Sequence, residues 1–102
     1  MVDFVKVAKT SELEPGQGRL VEAKGKQIAL FNVEGKFFAI DNKCTHRGAP
    51  LAEGELSGYE VTCPRHDAKF DIRTGEVLGP PAKQPVACYS VRVTGTDIEV
   101  EV

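Results

Sequence analysis

Apolar and polar residues alternate along both ends of the chain with a period of two, which is the pattern of half-buried β-strands. Near the start, the runs "FVKVA", "RLVEA", "KQIALFNV" and "KFFAI" are rich in Val, Ile and Phe. Lys-Gly at 24–25 and Glu-Gly at 34–35 separate the last three runs at hairpin spacing. The final run, "VACYSVRVTGTDIEVEV", alternates on both sides of the Thr-Gly-Thr at 94–96. The pattern predicts three hairpins.

The middle of the chain is different. From Asn42 to about Lys83 the strand pattern thins, and Gly and Pro interrupt it repeatedly. There is no long helical period, and we expect at most one short helical turn. A long irregular segment inside a compact domain usually carries function. We therefore predict one all-β domain over residues 1–102, an antiparallel sandwich or barrel-like base with an inserted subdomain at about 43–83.

Composition and charge limit the classes of function that this chain can have. The chain has 102 residues, a net charge of −2 and 41% hydrophobic residues, which fits one ordinary globular domain. Its pI of about 5.7 and its scattered Lys and Arg argue against a nucleic-acid partner. No apolar stretch approaches the ~20 residues of a membrane span, and the start does not resemble a signal peptide. We expect a cytoplasmic protein that does not contact membranes, with its thiols reduced.

Both histidines of the chain follow a cysteine closely. The pattern is Cys44-x-His46, sixteen intervening residues, and Cys63-x-x-His66. Each box places a thiolate and an imidazole on one tight loop, so the two loops together offer two sulfur and two nitrogen ligands. The third cysteine, Cys88, lies in an alternating run and is predicted to be a small buried hydrophobe.

Three interpretations of the boxes remain open from spacing alone. A structural zinc ion accepts two Cys and two His, but zinc fingers usually pair like with like in each half. A two-iron cluster with two Cys on one iron and two His on the other suits mixed boxes, because each loop can reach both irons. The third interpretation is chance, with the cysteines acting as small hydrophobes.

The stretches "CTHRGAPL" and "CPRHDAKFDIRTGEVLGPPA" resemble the two cluster-binding boxes and the Pro-rich loop of Rieske proteins. The resemblance implies a Rieske fold and one 2Fe–2S cluster as the cofactor. It also implies that Cys44 and Cys63 bind the inner iron, that His46 and His66 bind the outer iron, and that residues 79–82 cover the cluster.

Departures from the family pattern indicate which Rieske proteins this chain is similar to. Respiratory Rieske proteins carry a disulfide between the boxes, whereas the matching positions here are Ala49 and Arg65. They also place hydroxyl groups where this chain has Ala68 and Phe70. Without those hydrogen bonds to sulfur we expect a potential low for the family. The chain thus resembles the soluble ferredoxins of bacterial oxygenase systems, although Asp67 stands where the family commonly has Gly.

Both histidines would be used by the cluster, so a mononuclear iron site with two His and a carboxylate cannot be built. We therefore predict an electron carrier and not an enzyme. The resemblance implies a flavin-containing ferredoxin reductase as donor and a ring-hydroxylating oxygenase as acceptor. We expect a monomer, because nothing obvious in the sequence marks a large apolar interface. One alternative is the small subunit of an NADH-dependent nitrite reductase. Another is a zinc-stabilised interaction module without a redox role.

A set of basic and apolar residues is predicted to surround the exposed edge of the cluster. Such an edge could orient docking onto an acidic partner, or the charges could simply be solvated. The residues concerned are Arg47, Arg65, Lys69, Pro80 and Pro81.

Overall fold

A computed structural model describes residues 3–43, 50–64, 68–79 and 84–102. These residues form antiparallel strands in three sheets, which confirms the all-β prediction. The expectation of at most one helical turn is wrong, because 3₁₀ turns lie at Thr10–Glu12 and Leu51–Glu53. The strands are β1 (Phe4–Lys9), β2 (Gly18–Ala23), β3 (Lys26–Val33), β4 (Lys36–Asp41), β5 (Glu55–Ser57), β6 (Glu60–Thr62), β7 (Lys69–Asp71), β8 (Val77–Gly79), β9 (Cys88–Tyr89), β10 (Val91–Thr94) and β11 (Asp97–Glu101).

The first sheet has the order β1-β11-β10, the middle sheet β2-β3-β4-β9, and the third sheet β5-β6-β7-β8. The three predicted hairpins are confirmed as β2–β3, β3–β4 and β10–β11. In the first two, both turn residues have positive φ, at 50° and 76° for Lys24 and Gly25 and at 53° and 88° for Glu34 and Gly35. Turns of this kind match the right-handed twist of the strands, which explains their tight two-residue connections.

The middle sheet is buried on both faces. In β3, Ile28 and Leu30 point into a core shared with the first sheet, while Ala29 and Phe31 point into a core shared with the third sheet. This follows from the period of two along a strand, which sends neighbouring side chains to opposite faces. It also explains why "IALF" is continuously apolar and does not alternate. We call the first and middle sheets together the base.

The third sheet occupies part of the segment in which the strand pattern thins. Each of its four strands has three residues. Their buried side chains include Val61 and Phe70, which pack against Phe31 and Ile40 of the middle sheet. Within the four described ranges, no helix has the length and apolar character needed to cross a lipid bilayer.

Candidate metal centre

The second Cys/His box begins where β6 ends. Cys63 directly follows Thr62, and its side chain is only 1% exposed. The Cys63 N–H donates to the carbonyl oxygen of Ala68 at 2.7 Å, so the chain leaves and rejoins the third sheet at one point. Ala68 and Phe70 are fully buried in the same core as Cys63.

The first box lies between two residues that pair with each other. Lys43 and Pro50 form an isolated antiparallel bridge, and the Leu51 N–H donates to the carbonyl oxygen of Asn42 at 2.6 Å. Leu51 is fully buried and belongs to the same core as Cys63. The paired residues on either side of the first box therefore lie against the core that contains Cys63 of the second box.

The Pro-rich segment leaves the third sheet at the same end. Gly79, the last residue of β8, pairs with Lys69, the first residue of β7. Because Lys69 follows the second box in the chain, Gly79, the last described residue before the Pro-rich segment, lies near the end of that box. The chain returns at Val86, which is buried and whose N–H donates to the carbonyl oxygen of Gly75 at 2.9 Å. The described residues from which the three predicted cluster-binding segments start thus belong to one end of the third sheet.

Of the four predicted ligands, Cys63 alone falls in a described range. Cys44, His46 and His66 lie outside the described residues, and within those residues no three His, Cys, Asp or Glu side chains form a possible metal site. Also outside are Arg47, Ala49, Arg65, Asp67 and residues 80–83. Cys63 fits a cluster by its chemistry, because it offers a sulfur ligand in an apolar core. It also lies at the end of the third sheet where the two boxes and the Pro-rich segment start.

An ion pair that sequence reasoning missed closes the far end of the third sheet. Asp71 Oδ1 accepts from the Arg73 N–H at 2.8 Å, and Asp71 Oδ2 accepts from Arg73 Nη2 at 2.9 Å. The hydrogen bonds and charge of Arg73 hold the pKa of Asp71 below its usual value, against the opposing effect of burial. The spacing of Asp71 and Arg73, followed by Thr-Gly, was the available signal for this turn.

Aromatic contacts link that turn to the base. The Arg73 guanidinium lies 4.3 Å from the centroid of the Tyr59 ring. The Tyr59 ring in turn meets the Phe38 ring edge-to-face, with centroids 5.5 Å apart. Such contacts contribute roughly 1 kcal/mol each. Tyr59 and Phe38 thus act as packing residues between the third sheet and the base.

A second polar contact supports the strand that leads into the first box. The Tyr89 hydroxyl donates to Asp41 Oδ1 at 2.5 Å. Burial, and then the hydrogen bond to Asp41, raise the pKa of Tyr89 to about 12, so the phenol stays protonated at neutral pH. The neighbouring Cys88 is exposed, and the prediction that it is buried is wrong. With Tyr89 partly buried, the period of two turns Cys88 outward from this short edge strand.

Among the basic residues predicted at the docking edge, Lys69 is the one in a described range. Lys69 Nζ lies 3.4 Å from Glu60 Oε1, and the two side chains are half and one-third exposed. An exposed pair of this kind contributes little to stability. It does reduce the net positive charge that Lys69 presents at this end of the sheet.

Comparisons with known proteins identify the architecture. The family model of the Rieske [2Fe-2S] domain matches residues 3–90. The ferredoxin subunit of biphenyl dioxygenase from Pseudomonas sp. strain KKS102 is 39% identical over 99 residues, which are 96% of this chain and 91% of that protein.

Solved structures agree. A chain in the complex of reduced oxygenase and oxidized ferredoxin of carbazole 1,9a-dioxygenase superposes with a TM-score of 0.89 and 33% identity, over 95% of this chain and 91% of that one. A structure described as the small subunit of an NADH-dependent nitrite reductase from Mycobacterium tuberculosis gives 0.91 and 27%, over 100% of this chain and 96% of that one. The chain therefore belongs to the family of Rieske [2Fe-2S] domains, and its resident cofactor is one Rieske-type 2Fe–2S cluster.

Proposed function

We propose that this chain is the ferredoxin component of a ring-hydroxylating dioxygenase system. It accepts one electron from a flavin-containing ferredoxin reductase and passes it to a terminal oxygenase. The observation that carries the proposal is the similarity, over 96% of the chain, to the biphenyl dioxygenase ferredoxin subunit. The likeness to a chain of the oxygenase–ferredoxin complex supports the choice of acceptor.

Four residues hold the cluster in this proposal. Cys44 and Cys63 bind the inner iron, and His46 and His66 bind the outer iron. The donor set of two thiolates and two imidazoles is the one that a Rieske centre uses. The burial of Cys63 supports its assignment to the inner iron, because a ligand that is 1% exposed faces the core and not a partner protein.

The surroundings of Cys63 suit a carrier of low potential. When bound, the cluster supplies the storage of one electron. Ala68 and Phe70 are fully buried next to the ligand loop, and neither side chain has a hydroxyl group to donate to a sulfur atom. Hydrogen bonds to sulfur stabilise the reduced state, so the lack of hydroxyl groups at these two positions favours a potential in the lower part of the Rieske range.

Docking takes place at the end of the third sheet from which the three segments leave. The histidine edge shortens the distance to a partner, and Arg47, Arg65 and Lys69 orient an acidic partner face. Pro80 and Pro81 add apolar surface beside them. We propose further that the carrier acts as a monomer in the cytoplasm.

The first test is the EPR spectrum of the purified, dithionite-reduced protein, together with its iron and zinc content. A rhombic Rieske signal and one two-iron cluster per chain support the proposed ligands. A colourless, EPR-silent protein that holds zinc would refute them and revive the interaction-module alternative, which family membership disfavours.

The second test concerns the partners. The protein is mixed with a ferredoxin reductase, NADH and the terminal oxygenase of a biphenyl-type system, and product is measured with and without it. Turnover that depends on this chain supports the acceptor class. The apoprotein serves as the control, because it keeps the chain but lacks the electron store.

A second candidate function rests on the likeness to the nitrite reductase small subunit. In that role the chain would remain bound to a sirohaem-containing large subunit and would not exchange between partners. Affinity purification from the native host at its natural expression level separates the two candidates. Recovery of a stable complex that contains sirohaem would favour the nitrite reductase role and contradict the mobile carrier.

A further inference from the structure

Asn42 joins the base to both ends of the first box. Its N–H donates to the carbonyl oxygen of Gln27 in β3 at 3.1 Å, and its own carbonyl oxygen accepts from the Leu51 N–H at 2.6 Å. Its side-chain Oδ1 accepts from the Ala52 N–H at 2.9 Å. The residue is 3% exposed, so these bonds are shielded from water. Asn42 precedes Cys44 by two residues, while Leu51 and Ala52 follow the box.

The Asn42 side chain caps the 3₁₀ turn Leu51–Glu53. The N–H groups in the first turn of a helix lack partners inside it, and Ala52 carries one of them. Capping oxygens usually come from the residue just before the turn, but that residue here is Pro50, which makes no side-chain cap. The oxygen comes instead from Asn42, ten residues earlier in the chain.

Backbone contacts fix this turn on both sides. A Cβ placed on Gly18 of β2 would lie 2.9 Å from the carbonyl oxygen of Ala52. A Cβ placed on Gly54, just after the turn, would lie 2.2 Å from the carbonyl oxygen of Thr62, the residue before Cys63. The turn is therefore packed between the base and the start of the second box, and small displacements of it meet backbone atoms.

We propose that Asn42 is a positioning residue for the iron–sulfur site. By holding Leu51 and Ala52 against the strand that leads into Cys44, it sets where the first Cys/His box lies relative to Cys63. The inference rests on the ligand set given under Proposed function. Groups that orient metal ligands without touching the metal typically change metal affinity by about 10- to 100-fold when they are removed.

The test compares Asn42→Ala and Asn42→Asp in the cluster-loaded protein. We expect N42A to lose its cluster to an iron chelator about 10-fold or more faster than wild type, and to show shifted or broadened EPR g-values. N42D keeps an oxygen acceptor at the position of Oδ1. Because the variant also buries a carboxylate, we expect it to retain the cluster better than N42A without reaching the wild-type rate.

Asn32 supplies a matched control at the other end of β3. It is equally buried, its Oδ1 accepts from the Gly35 N–H at 2.8 Å, and its Nδ2 donates to the carbonyl oxygen of Leu13 at 2.8 Å. N32A should lower thermal stability while leaving the EPR spectrum and the rate of cluster loss unchanged. An equal effect of N32A and N42A on the cluster would show that Asn42 acts through general stability, and would overturn the proposal.

An N42A protein with the wild-type spectrum and wild-type cluster retention would also overturn it. If N42A does not fold, Asn42→Gln replaces it, because Gln keeps the amide but moves its oxygen by one methylene. The proposal would then be overturned if N42Q showed wild-type cluster behaviour, or if N32A affected the cluster as strongly as N42Q does. A wild-type protein without a Rieske signal would refute the ligand set itself, and is recognised before any variant is compared.

Discussion

The base and the third sheet are built from the same kind of antiparallel hairpin but at different scales. In the base, β3 alone has eight residues, and its hairpins close through two-residue turns. In the third sheet, every strand has three residues. Short strands form few ladder hydrogen bonds and are rarely stable alone. We therefore expect the base to hold its own fold, and the third sheet to depend on its packing against Phe31 and Ile40 and on the bound cluster.

Removing the cluster should give the largest difference in stability between the third sheet and the base. We expect hydrogen exchange in the apoprotein to accelerate by about 100-fold or more in β6 and β7, which corresponds to roughly 3 kcal/mol of lost stabilisation. Exchange in β3 and β11 should change much less, because those strands lie in the base. Mass spectrometry of peptides from holo- and apoprotein measures this. Uniform acceleration over the whole chain would show that the base does not fold independently of the third sheet.

Among single substitutions, Phe70→Ala should have the largest effect. Phe70 is fully buried between the third and middle sheets, and removing such a side chain costs about 3–5 kcal/mol. Urea unfolding measures the loss, and EPR reports on the cluster, which we expect to be disturbed because Cys63 shares this core.

The control for Phe70 is Ile98→Ala, in the core between the first and middle sheets. Its cost should be about 2–5 kcal/mol, with an unchanged EPR spectrum. A disturbed spectrum in I98A would mean that the two cores are coupled through the middle sheet.

Gly75→Ala tests the connection of the third sheet to the returning chain. Gly75 has φ of +81°, and an added Cβ would lie 2.0 Å from the carbonyl oxygen of Val86. The left-handed conformation and the backbone clash together should cost about 2–5 kcal/mol. Thermal unfolding by circular dichroism measures the difference from wild type.

Gly95→Ala is the matched control for Gly75, in a hairpin of the base. Its φ is +63°, and no described atom lies within 4 Å of an added Cβ. We expect the conformational cost alone, about 1–2 kcal/mol. Equal losses for the two variants would show that the contact with Val86 relaxes without strain.

Asp71→Asn should give a smaller change than Phe70→Ala or Gly75→Ala, about 1 kcal/mol, by weakening the bonds to Arg73. Because the pKa of Asp71 is lowered by folding, its ionised form stabilises the native state above its unfolded pKa of about 3.9. That contribution is lost as pH falls through the lower, native pKa. The difference between wild type and D71N in urea unfolding should therefore be constant from about pH 7 to 5 and shrink below about pH 4.

The exposed carboxylate Asp97, 3.2 Å from Lys6 Nζ in the base, provides the comparison for Asp71. D97N should change stability by less than about 0.5 kcal/mol. If D71N lowers the free energy of unfolding no more than D97N does, Asp71 does not stabilise the third sheet.

The base was the part most readily predicted from sequence. Residues 18–41 alternate or run apolar, and Gly25 and Gly35 stand where a tight turn needs positive φ. The third sheet was not predicted strand by strand, because three residues hold too little alternation to stand out between glycines and prolines. Cys88 was misjudged for a similar reason, since a two-residue strand does not reveal which side chain faces inward.

The candidate site was predicted from chemistry and motif, through the Cys/His boxes. Its supporting residues were not. Asn42 caps a turn ten residues away, and Tyr89 meets Asp41 across 48 positions. Neither contact has a local sequence signature, because each depends on how distant strands are brought together.

The two-faced burial of β3 has a consequence for how such a protein can change over generations. The choice of side chain at Ile28 and Leu30 is constrained by packing against the first sheet. The choice at Ala29 and Phe31 is constrained by packing against the third sheet, which carries the redox centre. We expect substitutions in one core to have little effect on the packing of the other. A lineage could therefore retune its electron-transfer half for a new partner while inheriting the other half unaltered, and a protein engineer could exchange that half in the same way.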